Sequence, residues 1–309
     1  MAEYRSFRNA DPPHLFRLWN SCGLGRGAAF PAFVTCFDEA TLRYPYFDPA
    51  GLIVAVEHGR IIGFVHAGFA FTPDLGGLNT QHGVICVVMV HPDFRRRGIG
   101  RELVNRAEAY LRSRGASRLQ AGQTRGSDPF YFGLYGGSRL SGFLESDAAA
   151  DPFFKKLGYL PTERHLVFQR ELLGGGDPAA SVRLVTIRRK TELEIFDGHE
   201  DPRYWWYSLF GWYDSLRFRL LVKDSKKPVA AVSAIGLDNY IQTWGARAIG
   251  LLDLWVDEHS AAKATGKPSS SRACDVCDNR TSIWPRFTFP KTRPTPCVRS
   301  AARVSNQWT

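Results

Sequence analysis

The feature that most constrains this chain is the stretch from Val84 to Arg114. There a continuous apolar run, Val84–Val90, stops at His91-Pro92, passes through Arg95-Arg96-Arg97-Gly98-Ile99-Gly100 and opens a helix. An uninterrupted VICVVMV reads as a strand buried on both faces, and proline, with no N–H for the ladder, ends it. In the helix predicted over Arg101–Arg114, Leu103, Val104, Ala107 and Leu111 share one face; Arg101, Glu102, Arg106 and Glu108 are expected to face water. Gly115 supplies a left-handed C-cap. A strand, a glycine turn and a helix in that order present backbone N–H groups at a helix N-terminus, where the dipole also favours an anion. Gly98 and Gly100 remove side chains that would block a close approach, and the three arginines offer guanidinium groups that bond phosphate bidentately. A bare GxG carries little information, an arginine run is commonly a solvated face, and a nucleotide P-loop would need Lys-Ser/Thr after its glycines. The conjunction of all these parts within about thirty residues points to a diphosphate cradle.

The elements around it follow a regular order. Tyr4–Phe7 is a short strand candidate, and Asp11-Pro12-Pro13 starts a helix over His14–Cys22. Gly51–Val56 and Ile61–Phe71 are apolar runs joined by Glu57-His58-Gly59-Arg60, a hairpin pattern. Ser117–Ala121 is the next strand, 122–150 is rich in glycine and aromatics without a period, Pro152–Leu157 is a short helix ending at Gly158, and Leu160–Leu172 closes as a strand pair or one long strand.

The motif Val-x-Pro-x-x-Arg-Arg-Arg-Gly-Ile-Gly followed by a helix resembles the acetyl-CoA-binding motif of the GNAT N-acetyltransferases, and Phe153-Phe154-Lys155-Lys156-Leu157-Gly158-Tyr159 resembles a later motif of that family. The resemblance covers residues 1–170. It implies an α/β fold with a mixed central sheet flanked by helices, whose fourth and fifth strands splay apart. The pantetheine arm of acetyl-CoA, the acyl-donor substrate, would lie in that gap against the backbone of Val88, Met89 and Val90. The pyrophosphate would sit on the amides of Arg96, Arg97, Gly98, Ile99, Gly100 and Arg101, with Arg95 adding charge. The implied reaction moves an acetyl group to a primary amine. Two family features are missing: the tyrosine that serves as general acid is replaced by Phe154, and VICVVMV contains no glutamate to act as base. Tyr131 and Tyr135 are the substitutes within reach in sequence; their alternative role is an aromatic wall for the substrate pocket. Transfer by orientation alone, with water relaying protons, remains open beside them.

Beyond the linker at 173–180 the order of elements repeats. Ser181–Arg188 is predicted as strand, Pro202–Tyr213 as an aromatic helix, and Leu216–Val222, Pro228–Ile235 and Ala246–Val256 as strands. Residues 181–258 thus read as a second, incomplete copy of the domain at 1–172, with Leu251–His259 standing where Ile85–Asp93 stand. A glycine-rich motif should come next, yet 259–309 loses all apolar period and is expected to be disordered. Back-translation with G/C-rich codons permits Arg-Arg-Lys-Gly-Tyr-Gly in an adjacent frame, in register with Arg95–Gly100. A one-base slip after His259 is therefore the expected origin of the tail.

Charge and cysteines narrow the alternatives. Nine Lys and Arg against two Asp place seven of the ten net positive charges in 259–309, so the body is close to balanced and a nucleic-acid partner is disfavoured. Cys274 and Cys277 lack a second ligand pair, which argues against zinc, and no metal is expected. No apolar run approaches a membrane span and MAEYRSFRNADPP is not a secretory signal, so the expectation is a cytoplasmic protein. The competing classes are an acyl-CoA-binding module without catalysis and, through the tail alone, a nucleic-acid binder.

Overall fold

The computed structural model describes residues 2–169, 182–197, 213–257 and 299–306. The first part of the chain runs β1 (Glu3–Ser6), α1 (Pro12–Ser21), α2 (Val34–Phe37), β2 (Leu52–Glu57), β3 (Arg60–Phe71), β4 (Leu78–Val90), α3 (Ile99–Ser113), β5 (Arg118–Ala121), β6 (Phe143–Leu144), α4 (Ala150–Lys156) and β7 (Leu160–Val167). The second part adds α5 (Val182–Lys190), β8 (Thr191–Asp197), β9 (Ser215–Val222), β10 (Pro228–Gly236), α6 (Ile241–Trp244), β11 (Ile249–Val256) and β12 (Arg299–Asn306).

β1 to β4 pair antiparallel in chain order, and β5 joins β4 in parallel, so the first sheet is mixed. The β2–β3 hairpin turns on His58 and Gly59, both at positive φ (50° and 74°), as a tight turn between right-twisted strands requires. Alternation along each strand sends neighbours to opposite faces. Leu52, Val54 and Phe64 pack with α1 and α2, whereas Ile53, Ala55, Ile62 and Val65 pack with α3 and α4. Leu103, Val104, Ala107 and Leu111 of α3 are fully buried on that second face, each contributing roughly 1.5–3 kcal/mol where the side chain is large. Four antiparallel strands, β8 to β11, form a second sheet that repeats the order of β1 to β4.

Four expectations need correction. Glu108 is buried rather than solvated, because it accepts from Arg112 at 2.9 Å and from the Tyr159 hydroxyl at 2.9 Å; the Tyr159 side chain arriving from after α4 is invisible to helical periodicity. Residues 182–190 form α5 instead of a strand, and the ladder passes to Thr191–Asp197; Arg188, Arg189 and Lys190 suit the negative end of a helix dipole. The strand expected to reach Leu172 ends at Val167. Within the tail, 299–306 is strand β12, lying parallel between β5 and β7. Such pairing is a main-chain interaction that an edge strand offers to any extended segment, so side-chain pattern does not announce it. The linker at 173–180, the aromatic segment 202–212 and 258–298 lie outside the described residues.

Candidate active site

The central opening is a consequence of strand register. β4 and β5 pair from His82↔Arg118 to Ile85↔Ala121, and the Gly122 N–H donates to the Ile85 carbonyl at 3.0 Å. From Cys86 onward β4 keeps only its β3 partner, and a register shift between His66 and Ala67 leaves Cys86 as an extra residue, a bulge at the apex of the splay. On the β3 side the His91 N–H donates to Ile62 O at 2.8 Å. In an antiparallel ladder, hydrogen-bonded pairs alternate with pairs whose polar groups point outward. Met89 therefore spends its backbone groups on β3, while Val88 and Val90 turn theirs into the gap. Sequence reading grouped all three; the ladder separates them.

At the end of β4 the chain makes a short turn over Pro92–Phe94 and then takes two left-handed residues, Arg96 (φ 66°) and Gly98 (φ 82°), before α3 begins. Among the described residues no backbone acceptor meets the amides of 96–101, and Gly98 supplies no side-chain cap. The result is a set of N–H donors without a backbone acceptor at the positive end of a helix of fifteen residues. The two glycines serve different ends. A Cβ on Gly98 would meet nothing within 4 Å, so that position is glycine for its positive φ. A Cβ on Gly100 would lie 3.2 Å from the Phe153 ring, so Gly100 is small because α4 packs over it.

The arginines also divide. Arg95 Nε donates to Val90 O at 3.0 Å and its Nη2 to Cys22 O at 3.1 Å, tying the end of α1 to the end of β4. In this structure Arg95 braces those two elements. Arg97 donates to Asp93 O at 3.0 Å and lies over the Phe94 ring. Arg96 and Arg101 are exposed beside the free amides, and among the described residues neither forms an ion pair.

The proton-transfer candidates are placed in the core. Tyr131 is 1% exposed, stacks on Trp19 at 5.8 Å, and shares a 3.0 Å hydrogen bond with His66 Nδ1. Burial, with a smaller contribution from Cys86, pushes its phenol well up, and burial alone pulls the His66 imidazole down to about 3. The Tyr135 hydroxyl accepts from the Leu144 amide at 2.9 Å, and its phenol is also raised by burial. Both hydroxyls are thus engaged inside the core, Tyr131 with His66 and Tyr135 with the Leu144 amide. Phe154 stacks on Phe143 at 4.5 Å and lines a cavity of about 370 Å³ together with Tyr159, Asp151, Lys155 and Arg164. Sequence reasoning missed His66 and Asp128, both buried; the signal for the first was a lone imidazole inside the apolar run IIGFVHAGFAF. Among the described residues no group of three His, Cys, Asp or Glu could hold a metal ion, and no helix is long and apolar enough to cross a membrane.

The model of the acetyltransferase (GNAT) family matches residues 15–134. An acetyltransferase of Pectobacterium atrosepticum is 32% identical over 133 residues, spanning 43% of this chain and 83% of that protein. Among solved structures, a fungal multi-domain GH3 β-N-acetylglucosaminidase with a glucosamine N-acetyltransferase region is similar with TM-score 0.59 and 16% identity; 86% of this chain aligns, but only 33% of that one. A tandem GNAT protein from the clavulanic acid biosynthesis pathway aligns over 76% of this chain and 74% of its own, with TM-score 0.51 and 16% identity. At such identities these two show the fold alone.

Proposed function

This chain belongs to the GNAT acetyltransferase family, and from that membership we propose that it transfers an acetyl group from acetyl-CoA to a primary amine. The observation that carries the reading is the continuity of two features: the splay beside Val88 and Val90 runs directly into the uncapped amides of 96–101. An extended chain with two amides fits the first, and a diphosphate fits the second. The Val88 N–H and C=O and the Val90 N–H would bond the pantetheine amides. The amides of 96–101, with Arg96 and Arg101, would take the pyrophosphate, and the thioester would then lie at the bulge beside Cys86 and Val87.

The amine nitrogen attacks the thioester carbonyl carbon; the C–N bond forms, the C–S bond breaks, and the sulfur leaves as thiolate. The proton shed by nitrogen passes to water and from water to the thiolate, since Phe154 offers none and β4 carries no carboxylate. What the protein contributes is placement, and holding two reactants in an attack geometry is worth on the order of 7–11 kcal/mol of barrier. A cytoplasmic setting suits this donor and the free thiols of Cys22, Cys36 and Cys86.

The absence of an acid at Phe154 favours one competing reading, an acyl-CoA-binding module without turnover. Release of free CoA thiol with a panel of primary amines, beside calorimetric binding of acetyl-CoA, decides between them. Binding with amine-dependent thiol release supports the transferase; binding without release supports the module.

A further inference from the structure

The second sheet and its β10–β11 connection, which holds α6, touch the first part of the chain in an uneven way. The Tyr240 hydroxyl accepts from the Gly137 amide at 2.9 Å and donates to Gly27 O at 3.4 Å. Thr243 Oγ1 donates to Ala28 O and accepts from the Phe30 amide, both at 3.0 Å, and Trp244 Nε1 donates to Arg26 O at 2.9 Å. Asp253 pairs with Arg125 at 3.0 Å and with Arg139 at 3.2 Å. All of these fall on two loops, 23–30 and 125–140.

Those loops are joined to each other and border the splay. The Ala29 amide donates to Leu134 O and the Gly136 amide to Gly27 O, each at 2.8 Å. Leu144, whose amide is held by Tyr135, packs against Gly27, and Cys22 at the start of the first loop reaches Val90 O through its sulfur at 3.7 Å.

Asp253 is the most specific of the contacts. It sits in β11 at a register shift opposite Ala231/Ser233 and holds a left-handed conformation, φ 49°, which aspartate tolerates better than most residues. Its partner Arg139 lies between it and Asp128, 3.3 Å away and 1% exposed. Burial raises the Asp128 carboxyl, and Arg139 opposes that rise. Asp128 leads into Phe130 and Tyr131, which pack on His66 of β3. A charge relay thus runs from the second sheet to the base of the loop.

We propose that the second sheet is a positioning element acting in cis: Asp253 and Tyr240 hold loops 23–30 and 125–140 in the shape that admits the acceptor amine, and that sheet carries no acyl transfer of its own. The inference rests on the transferase reading. In the full chain, Asp253→Asn removes the charge that pairs with Arg125 and Arg139, and Tyr240→Phe removes the hydroxyl that bonds Gly137 and Gly27; each keeps the side chain's shape, the Tyr240 ring staying stacked on Trp244 at 4.2 Å. As a third variant, Gly250→Ala wedges the interface, because the added methyl collides with Ser138. The expected result is an amine KM raised about tenfold, the scale on which losing one or two hydrogen bonds acts, with kcat and the acetyl-CoA Kd unchanged. Amides of 26–30 and 134–140 should exchange faster with deuterium while those of β3 and β4 do not. Unchanged exchange in those loops overturns the proposal, as does an acetyl-CoA Kd that weakens in step with the amine KM. Acetyl-CoA binding by the parent chain without thiol release instead sinks the transferase reading, and the exchange measurement still decides the brace.

Discussion

Replacing Gly98 by valine tests the cradle, and Gly59 provides a matched control. Both glycines hold positive φ, 82° and 74°, and a Cβ on either meets nothing within 4 Å. The cost of each substitution is therefore torsional, about 1–2 kcal/mol for a left-handed residue and more for a β-branched one. In a unit of this size that lowers Tm by roughly 2–4 °C per kcal/mol. The two variants differ in what relaxes. At Gly59 it is an exposed hairpin turn. At Gly98 it is the residue that aims the Ile99, Gly100 and Arg101 amides, and a shift toward right-handed φ turns them off the diphosphate. Losing two charge-assisted hydrogen bonds at about 1.5–3 kcal/mol each weakens binding by roughly a hundredfold or more. Calorimetric titration with acetyl-CoA and thermal unfolding of both variants is the assay. Equal Tm losses with a Kd change in Gly98→Val alone are expected; the same Kd in both variants refutes the cradle.

Other consequences are as direct. Arg96→Ala and Arg101→Ala should each flatten the salt dependence of acetyl-CoA binding, whereas Arg95→Ala should loosen the α1–β4 tie and leave that slope intact, as titrations at several ionic strengths would reveal. Tyr131→Phe should leave kcat unchanged and cost about 1–3 kcal/mol in denaturant unfolding, because His66 Nδ1 loses its partner. His66, held near 3 when folded against 6.5 unfolded, stays neutral in the native state. The unfolded chain binds the extra proton between those values, so stability is full above about pH 6.5 and falls as pH drops toward 3. Tm against pH should show that slope, and His66→Phe should reduce it. Restoring the adjacent frame after His259 should raise Tm and solubility, since Leu193, Ile195, Leu216, Ile249 and Leu251 stand exposed on one face of the second sheet; a repaired chain that aggregates no less contradicts the slip.

Much of the fold was legible because it rests on local periodicity. The apolar run before His91-Pro92, the stripe of Leu103, Val104, Ala107 and Leu111, and the glycine turn between them are each spelled within a few residues. What escaped depends on partners distant in sequence. Arg95 looked like an anion ligand, yet the carbonyls it binds belong to Val90 and Cys22. Gly100 looked like room for a ligand, and its neighbour is Phe153. Glu108 fell on the polar face and was claimed by Tyr159. Nothing near Tyr131 and Tyr135 in sequence shows that the structure sets one against Trp19 and His66 and the other under Leu144. The strand β12 had no side-chain pattern to read, since parallel pairing with β5 and β7 is made by the backbone.

The measurement that bears most directly on the central claim is release of CoA thiol from acetyl-CoA by the full chain across a panel of primary amines. The acetylated product is identified in the same reaction. Amine-dependent thiol release with a stoichiometric N-acetyl product, lost in Gly98→Val and kept in Gly59→Val, is the predicted result. Tight acetyl-CoA binding with no thiol above the hydrolytic background for any amine would contradict it.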